Sequence, residues 1–150
     1  MANFSGICSS FKREILCGIH ALGTAVVRAA AGADVIKAAL FGTGGSIGTG
    51  TTVYSVTNEV TGAGYAAGGV VVANANQPAV TGTAAFWTPS ASIVFTGVTV
   101  GPTDCVLVYN STQGNKAIAS HTFAAQTLVA GTLTLTMPTN DAASALIQLG

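Results

Sequence analysis

Short runs rich in valine, isoleucine, threonine and aromatic residues recur about every ten residues from Asp34 onward, with glycine, proline, asparagine and serine between them. This pattern is typical of β-strands joined by turns. Because no helical period alternates with the runs, an antiparallel β-sandwich, or a barrel-like sheet, is predicted for a domain at residues 31–150. The predicted strands lie at residues 35–41, 52–57, 69–74, 83–87, 92–100, 105–109, 117–123, 132–137 and 145–149, and a hairpin loop is predicted at 110–115.

The first thirty residues differ from the rest and are predicted to form an arm with a short helix. Ser9 and Ser10 are suitable N-cap residues, and apolar residues then recur every four positions across residues 11–21. A helix this short needs a surface to dock on, which either its own domain or the next subunit could supply. The arm's predicted contacts with a neighbouring subunit are Phe4, Ile7, Phe11, Ile15 and Ile19.

The chain carries very little charge. Only 7% of its residues are charged, against about 25% in an ordinary soluble domain, and the formal net charge is zero. Such a surface favours self-association, so we expect an assembly subunit that neighbours largely cover. The five basic residues are scattered, which disfavours nucleic-acid binding, and no apolar run is long enough to predict a membrane span.

Residues 58–72 combine four glycines with a carboxylate and an aromatic ring in one turn region. Residues 62–67 match a degenerate G-x-G-x-x-A dinucleotide fingerprint, but three valines follow where that motif needs a helix. The glycines are therefore predicted to allow positive φ and close backbone approach in a tight turn. We expect Glu59 to cap backbone donors of the turn, or to accept hydrogen bonds from a neighbour, and Tyr65 to anchor it. The predicted structural-turn residues are Asn58, Glu59, Gly62, Gly64, Tyr65, Gly68 and Gly69.

Two weak motifs point to catalysis or metal binding. Residues 44–48 match the G-x-S-x-G nucleophile elbow around Ser46, yet β-type sequence follows instead of a helix, and only His20 and His121 could serve as base. Cys17 lies three residues from His20, but zinc needs further protein ligands. We expect no catalytic residue, no metal site and no cofactor. A carbohydrate-binding module is disfavoured because three tyrosines and one tryptophan offer few stacking platforms.

The cysteine count is odd. With three cysteines the chain cannot pair all of them internally. Either all are reduced, as in a protein folded in cytosol, or at least one forms a disulfide with another chain. Cys8, on the predicted arm, is the candidate for an interchain disulfide.

Residues 57–65 read TNEVTGAGY and residues 67–70 read AGGV, and together they resemble a signature of small structural proteins of tailed bacteriophages. Weaker likeness extends over most of residues 34–150. The resemblance implies a non-enzymatic virion protein, assembled in the host cytoplasm, without a small-molecule substrate. Two positions in the virion are then open. A capsid decoration or cement protein, which forms homo-oligomers and contacts the major capsid protein, is favoured because a compact single domain with an arm suits repeated cementing. A neck, tail or fibre component is the alternative.

Overall fold

The chain folds into a mainly β domain. A computed structural model describes residues 2–8, 10–11, 15, 19–20, 22–24 and 33–149. Strands account for 46% of the described residues and form two antiparallel sheets without barrel closure, so the predicted sandwich is confirmed. The strands are β1 (Gly6–Ile7), β2 (Ile36–Gly42), β3 (Val70–Val71), β4 (Ala79–Thr81), β5 (Ala84–Trp87), β6 (Ile93–Asn110), β7 (Lys116–Leu135) and β8 (Ile147–Leu149).

The larger sheet has the order β1-β7-β6-β2-β3, and the smaller one has the order β4-β5-β8. Every strand pair is antiparallel. Trp87 ends β5 and is almost completely buried, with its ring N–H donating to the carbonyl oxygen of Asn76 at 3.0 Å. Trp87 joins Phe41, Phe95 and residues of β2, β6 and β7 in one apolar core.

A long hairpin of β6 and β7 dominates the fold. Its tip confirms the predicted loop, because β6 ends at Asn110 and β7 begins at Lys116. The predicted strands at 92–100 and 105–109 are instead one strand, as are those at 117–123 and 132–137. Register shifts interrupt the pairing of β6 with β7 between Phe95 and Cys105, and such bulges bend a strand.

The bend folds the hairpin back over itself. Ile93 and Val108 lie fifteen positions apart in β6, which would separate them by about 50 Å in a straight strand, yet both line one groove. The far half also reaches the loop beside β2, where the rings of Phe95 and Tyr65 stack at 6.0 Å. The two halves of the hairpin therefore face each other across this groove.

The predicted strand at 52–57 is wrong. Only Val53 forms a β-bridge there, with Lys116, and the Tyr54 N–H donates to Asn115 at 2.8 Å. Pairing cannot continue because the chain then turns, with the Glu59 N–H donating to Val56 at 3.1 Å. The smaller errors are the short β3, predicted at 69–74, and the strands β1 and β4, which were not predicted.

The N-terminal segment packs on its own domain. Ile7 pairs with Ala119 through β1 and β7, and the Cys8 N–H donates to Ile118 at 3.0 Å. Phe11, predicted to contact a neighbouring subunit, is instead fully buried, because the domain core accepts its ring.

Other parts of the predicted arm have mixed outcomes. Phe4 is 52% exposed, while Ile15 and Ile19 are partly buried. Ser10, Phe11 and Ile15 are helical but Ile19 is not, so the helix does not run through to residue 21 as predicted; the other residues of 11–21, His20 excepted, lie outside the described residues. The arm's contacts with another subunit stay a prediction.

Candidate functional site

The loop at residues 58–69 has an unusual backbone. Left-handed φ angles occur at Asn58 (64°), Gly64 (77°), Gly68 (86°) and Gly69 (67°). Residues with a Cβ adopt this region at a cost, which explains the glycines at three of the four positions.

Glycine is also needed for close packing. A Cβ on Gly69 would lie 1.8 Å from the carbonyl oxygen of Ala38 in β2, and a Cβ on Gly62 would lie 1.8 Å from the carbonyl oxygen of Thr99 in β6. Neither backbone oxygen can move without disturbing its sheet. The loop is thus pressed against both β2 and β6, which are neighbouring strands of the larger sheet.

Glu59 is the centre of the loop. Its Oε1 accepts hydrogen bonds from the Tyr65 hydroxyl and from the Gly68 N–H, each at 2.8 Å. Its Oε2 accepts one from the Tyr54 hydroxyl at 2.6 Å. The Tyr109 hydroxyl donates to the Gly68 carbonyl oxygen at 2.8 Å. All three tyrosines of the chain therefore meet here, and we call these five residues the tyrosine clasp.

Further contacts fix the rings of the tyrosine clasp. Tyr54 stacks on Tyr109 with ring centroids 4.5 Å apart, and the Tyr65 hydroxyl accepts a hydrogen bond from the Leu40 N–H at 2.9 Å. Burial, reinforced by the Glu59 carboxylate, raises the pKa of Tyr54 and Tyr65 well above the ordinary value. Both phenols stay protonated at neutral pH and remain donors. The arrangement holds a backbone shape and presents no activated nucleophile.

The structure brings the predicted turn residues together in this one loop, but sequence reasoning missed Tyr54 and Tyr109. Tyr54 lies five positions before Glu59, so its proximity was a usable signal. Tyr109 lies in β6, and only the folded sheet brings it to Gly68.

The weaker candidates are not assembled into a catalytic or metal centre within the part of the chain that the structure describes. Ser46 is exposed in a loop, and it does not line the groove that holds His121. His20 lies edge-on to Phe11, with its Nδ1 3.1 Å from the Asn110 side-chain nitrogen. No group of three histidine, cysteine or acidic residues in the described ranges could hold a metal ion, and Cys17 lies outside those ranges.

The cysteine prediction needs a correction. Cys8 is fully buried and its backbone is bonded to β7, so the folded chain does not present its thiol to another chain. Cys8 was predicted to lie on an arm from which it could form a disulfide with another chain. This is wrong because the segment docks against the larger sheet. Cys105 is also fully buried; burial raises the pKa of its thiol to about 12, with smaller contributions from Asp104 and Cys8.

The exposed surface is almost uncharged over long stretches. No charged residue lies between Glu59 and Asp104, and none lies between Lys116 and Asp141. Several valines are exposed in these stretches, among them Val129 at 80%. This surface consists of hydroxyl groups, amides and small apolar side chains.

No described helix is long and apolar enough to cross a membrane. Comparison with protein-family models, with curated proteins and with solved structures finds no match to this chain.

Proposed function

We propose that the chain is a non-enzymatic structural protein of a tailed-bacteriophage virion, which decorates the capsid shell and cements adjacent major capsid subunits. The proposal starts from the resemblance of residues 57–70 to small phage structural proteins. In the folded loop the glycines and Glu59 fix the backbone conformation. This structural use of the residues that carry the resemblance supports a structural protein.

The observation that carries the proposal is the pair of long uncharged stretches between Glu59 and Asp104 and between Lys116 and Asp141, many of whose residues are exposed. Soluble domains usually keep themselves apart with interspersed charges. A surface of threonine, alanine and valine is better suited to lasting contact with neighbouring subunits, because covering it costs no desolvation of charge.

The tyrosine clasp supports a mechanical role. It fixes the loop against β2 and β6, and so holds the loop and these two neighbouring strands in one arrangement. A cement protein must transmit load between the subunits it bridges, and a loop with its polar groups bonded resists deformation better than a solvated one.

Counting copies per particle tests the proposal. Virions of the phage that encodes the chain are purified, and the ratio of this protein to the major capsid protein is measured by quantitative mass spectrometry. We expect hundreds of copies, together with lower heat resistance of shells assembled without the protein. Absence from purified virions would refute the proposed function.

The same copy number also distinguishes a shell protein from the alternative, a component of the neck, tail or fibre. A neck, tail or fibre component forms a closed ring or small oligomer, so about six or twelve copies would move the protein from the shell to that position.

A further inference from the structure

A groove of about 290 Å³ opens between the two halves of the folded β6–β7 hairpin. It is larger than the cavity of about 150 Å³ that accommodates benzene in another protein. Its walls are apolar with a few threonine hydroxyls, and none of its lining residues carries a formal charge at neutral pH. The main lining residues are Ile93, Val106, His121, Phe123, Leu135 and Met137.

His121 is the exceptional residue of the groove. It lies in β7 opposite Val106, and its Nε2 is buried with no hydrogen-bond partner in the described part of the chain. Burial lowers the pKa of the imidazole below its ordinary value, so the ring is neutral at pH 7. A buried polar nitrogen without a partner is unfavourable, and a ligand that supplies the missing hydrogen bond gains from it.

The groove lies beside an open sheet edge. β1 pairs with β7 only at Ala119 and Ser120, and the Ser5 hydroxyl then accepts a hydrogen bond from the Thr122 N–H. Beyond Thr122, no described strand pairs with the outer edge of β7. An extended segment of another polypeptide can therefore approach this edge and direct a side chain into the groove.

We propose that the groove binds a tyrosine side chain of a partner protein, with the phenol hydroxyl hydrogen-bonded to His121 Nε2. A hydroxyl both donates and accepts, so it satisfies either tautomer of the imidazole. A charged side chain would lose its hydration without finding a counter-charge. An aliphatic side chain would leave Nε2 without a partner.

The partner is a protein other than a second copy of this chain. All three tyrosines of the chain belong to the tyrosine clasp, and presenting one of them to a neighbour would dismantle it. This inference does not depend on the chain's position in a virion.

The test compares two pairs of probes that differ by one hydroxyl. Isotope-labelled full-length protein is titrated with p-cresol and with toluene, and the ring signals of His121 are followed by NMR. We expect saturable binding of both, with p-cresol roughly two- to ten-fold tighter, as one neutral hydrogen bond provides. Equal affinities, or no saturable binding of p-cresol, would overturn the proposal.

A variant and a second pair of probes complete the test. In His121→Phe, where the methyl signal of Met137 in the groove is the readout, toluene binding should persist and the preference for p-cresol should disappear. A preference that persists would exclude His121 as the partner. On the unaltered protein, N-acetyl-tyrosinamide should bind more tightly than N-acetyl-phenylalaninamide and at least as tightly as p-cresol, because its amides can meet the β7 edge. If it binds more weakly than p-cresol, the site takes free phenols and the protein partner is refuted. None of these outcomes affects the copy-number test.

Discussion

Replacing Glu59 with glutamine removes one charge from the centre of the tyrosine clasp while keeping the shape of the side chain. The carboxylate accepts hydrogen bonds from two tyrosine hydroxyls and from the Gly68 N–H. Glutamine retains one acceptor oxygen, and its NH₂ group faces a hydroxyl or an N–H that formerly donated to the carboxylate. The substitution therefore tests the charge more than the packing.

The magnitude follows from the three bonds. A hydrogen bond to a charged group stabilises a protein by about 1.5–3 kcal/mol, and a neutral one by about 0.5–1.5 kcal/mol. Losing the charge thus removes about 1 kcal/mol per bond, and Glu59→Gln should lower the free energy of unfolding by about 2–3 kcal/mol. That is a large share of the roughly 5–15 kcal/mol typical of a domain.

Urea denaturation at pH 7 measures the loss. Trp87 is the only tryptophan and is almost completely buried, so its fluorescence reports unfolding of the core. With a slope of about 1–3 kcal/mol per molar urea, the midpoint should fall by about 1 M. A change in unfolding free energy below about 0.5 kcal/mol, the usual range for surface substitutions, would refute the reasoning.

Two tyrosine variants serve as controls. Tyr54→Phe removes a hydroxyl that donates to Glu59, whereas Tyr65→Phe also takes the acceptor from the Leu40 N–H. Tyr65→Phe should therefore cost about 1 kcal/mol more than Tyr54→Phe. In the Tyr54→Phe background, Glu59→Gln should cost less than in the original chain, because the two groups share a bond. Strict additivity would argue against the clasp as one unit.

Three further predictions concern glycine, pH and thiol chemistry. Gly82→Ala, at a φ of 61° in open space, should cost about 1 kcal/mol, and Gly69→Ala should cost distinctly more because its Cβ meets a β2 carbonyl oxygen; equal urea midpoints would contradict the close approach. Since burial and Glu59 raise the pKa of Tyr54 and Tyr65 above 10 in the folded state, their contribution to stability should be constant below about pH 10 and fall as the pH rises further, which unfolding curves from pH 8 upward would show. An unchanged stability well above pH 10 would count against these shifts. Cys105, buried with a pKa raised to about 12, should react with a thiol reagent at pH 8 only on unfolding. Peptide mass spectrometry locates the label, and rapid labelling of Cys105 itself in the native protein would disprove its burial.

Sequence pattern predicted the class of the fold because strand-forming runs and turn residues are local signals. It could not predict that one strand passes through Gly101 and Pro102, which read locally as the end of a strand. The strand continues through these two residues because β6 pairs with β7 on both sides of the bulges, which is a tertiary effect. The strand predicted at 52–57 does not form, although its residues favour a strand locally. A turn closed by the hydrogen bond from Glu59 to Val56 ends the extended backbone there.

The site was partly predictable from the sequence because some of its signals are local too. Glu59, Tyr65 and the glycines lie within a dozen residues, so their types alone indicated a shaped turn. The burial of Cys8 depends on docking against β7, and no local signal carries it. The apolar groove at His121 likewise exists only because the hairpin folds over itself.

The spacing of the tyrosine clasp bears on the order in which the chain folds. Its bonds to Glu59 join residues five, six and nine positions apart, whereas the pairing of β2 with β6 joins Ile36 to Asn110. Closing the nine-residue loop costs about 2 kcal/mol less chain entropy than bringing the ends of that sheet pair together. The loop can therefore take its shape before β2 and β6 meet, and then serve as a template against which the two strands align.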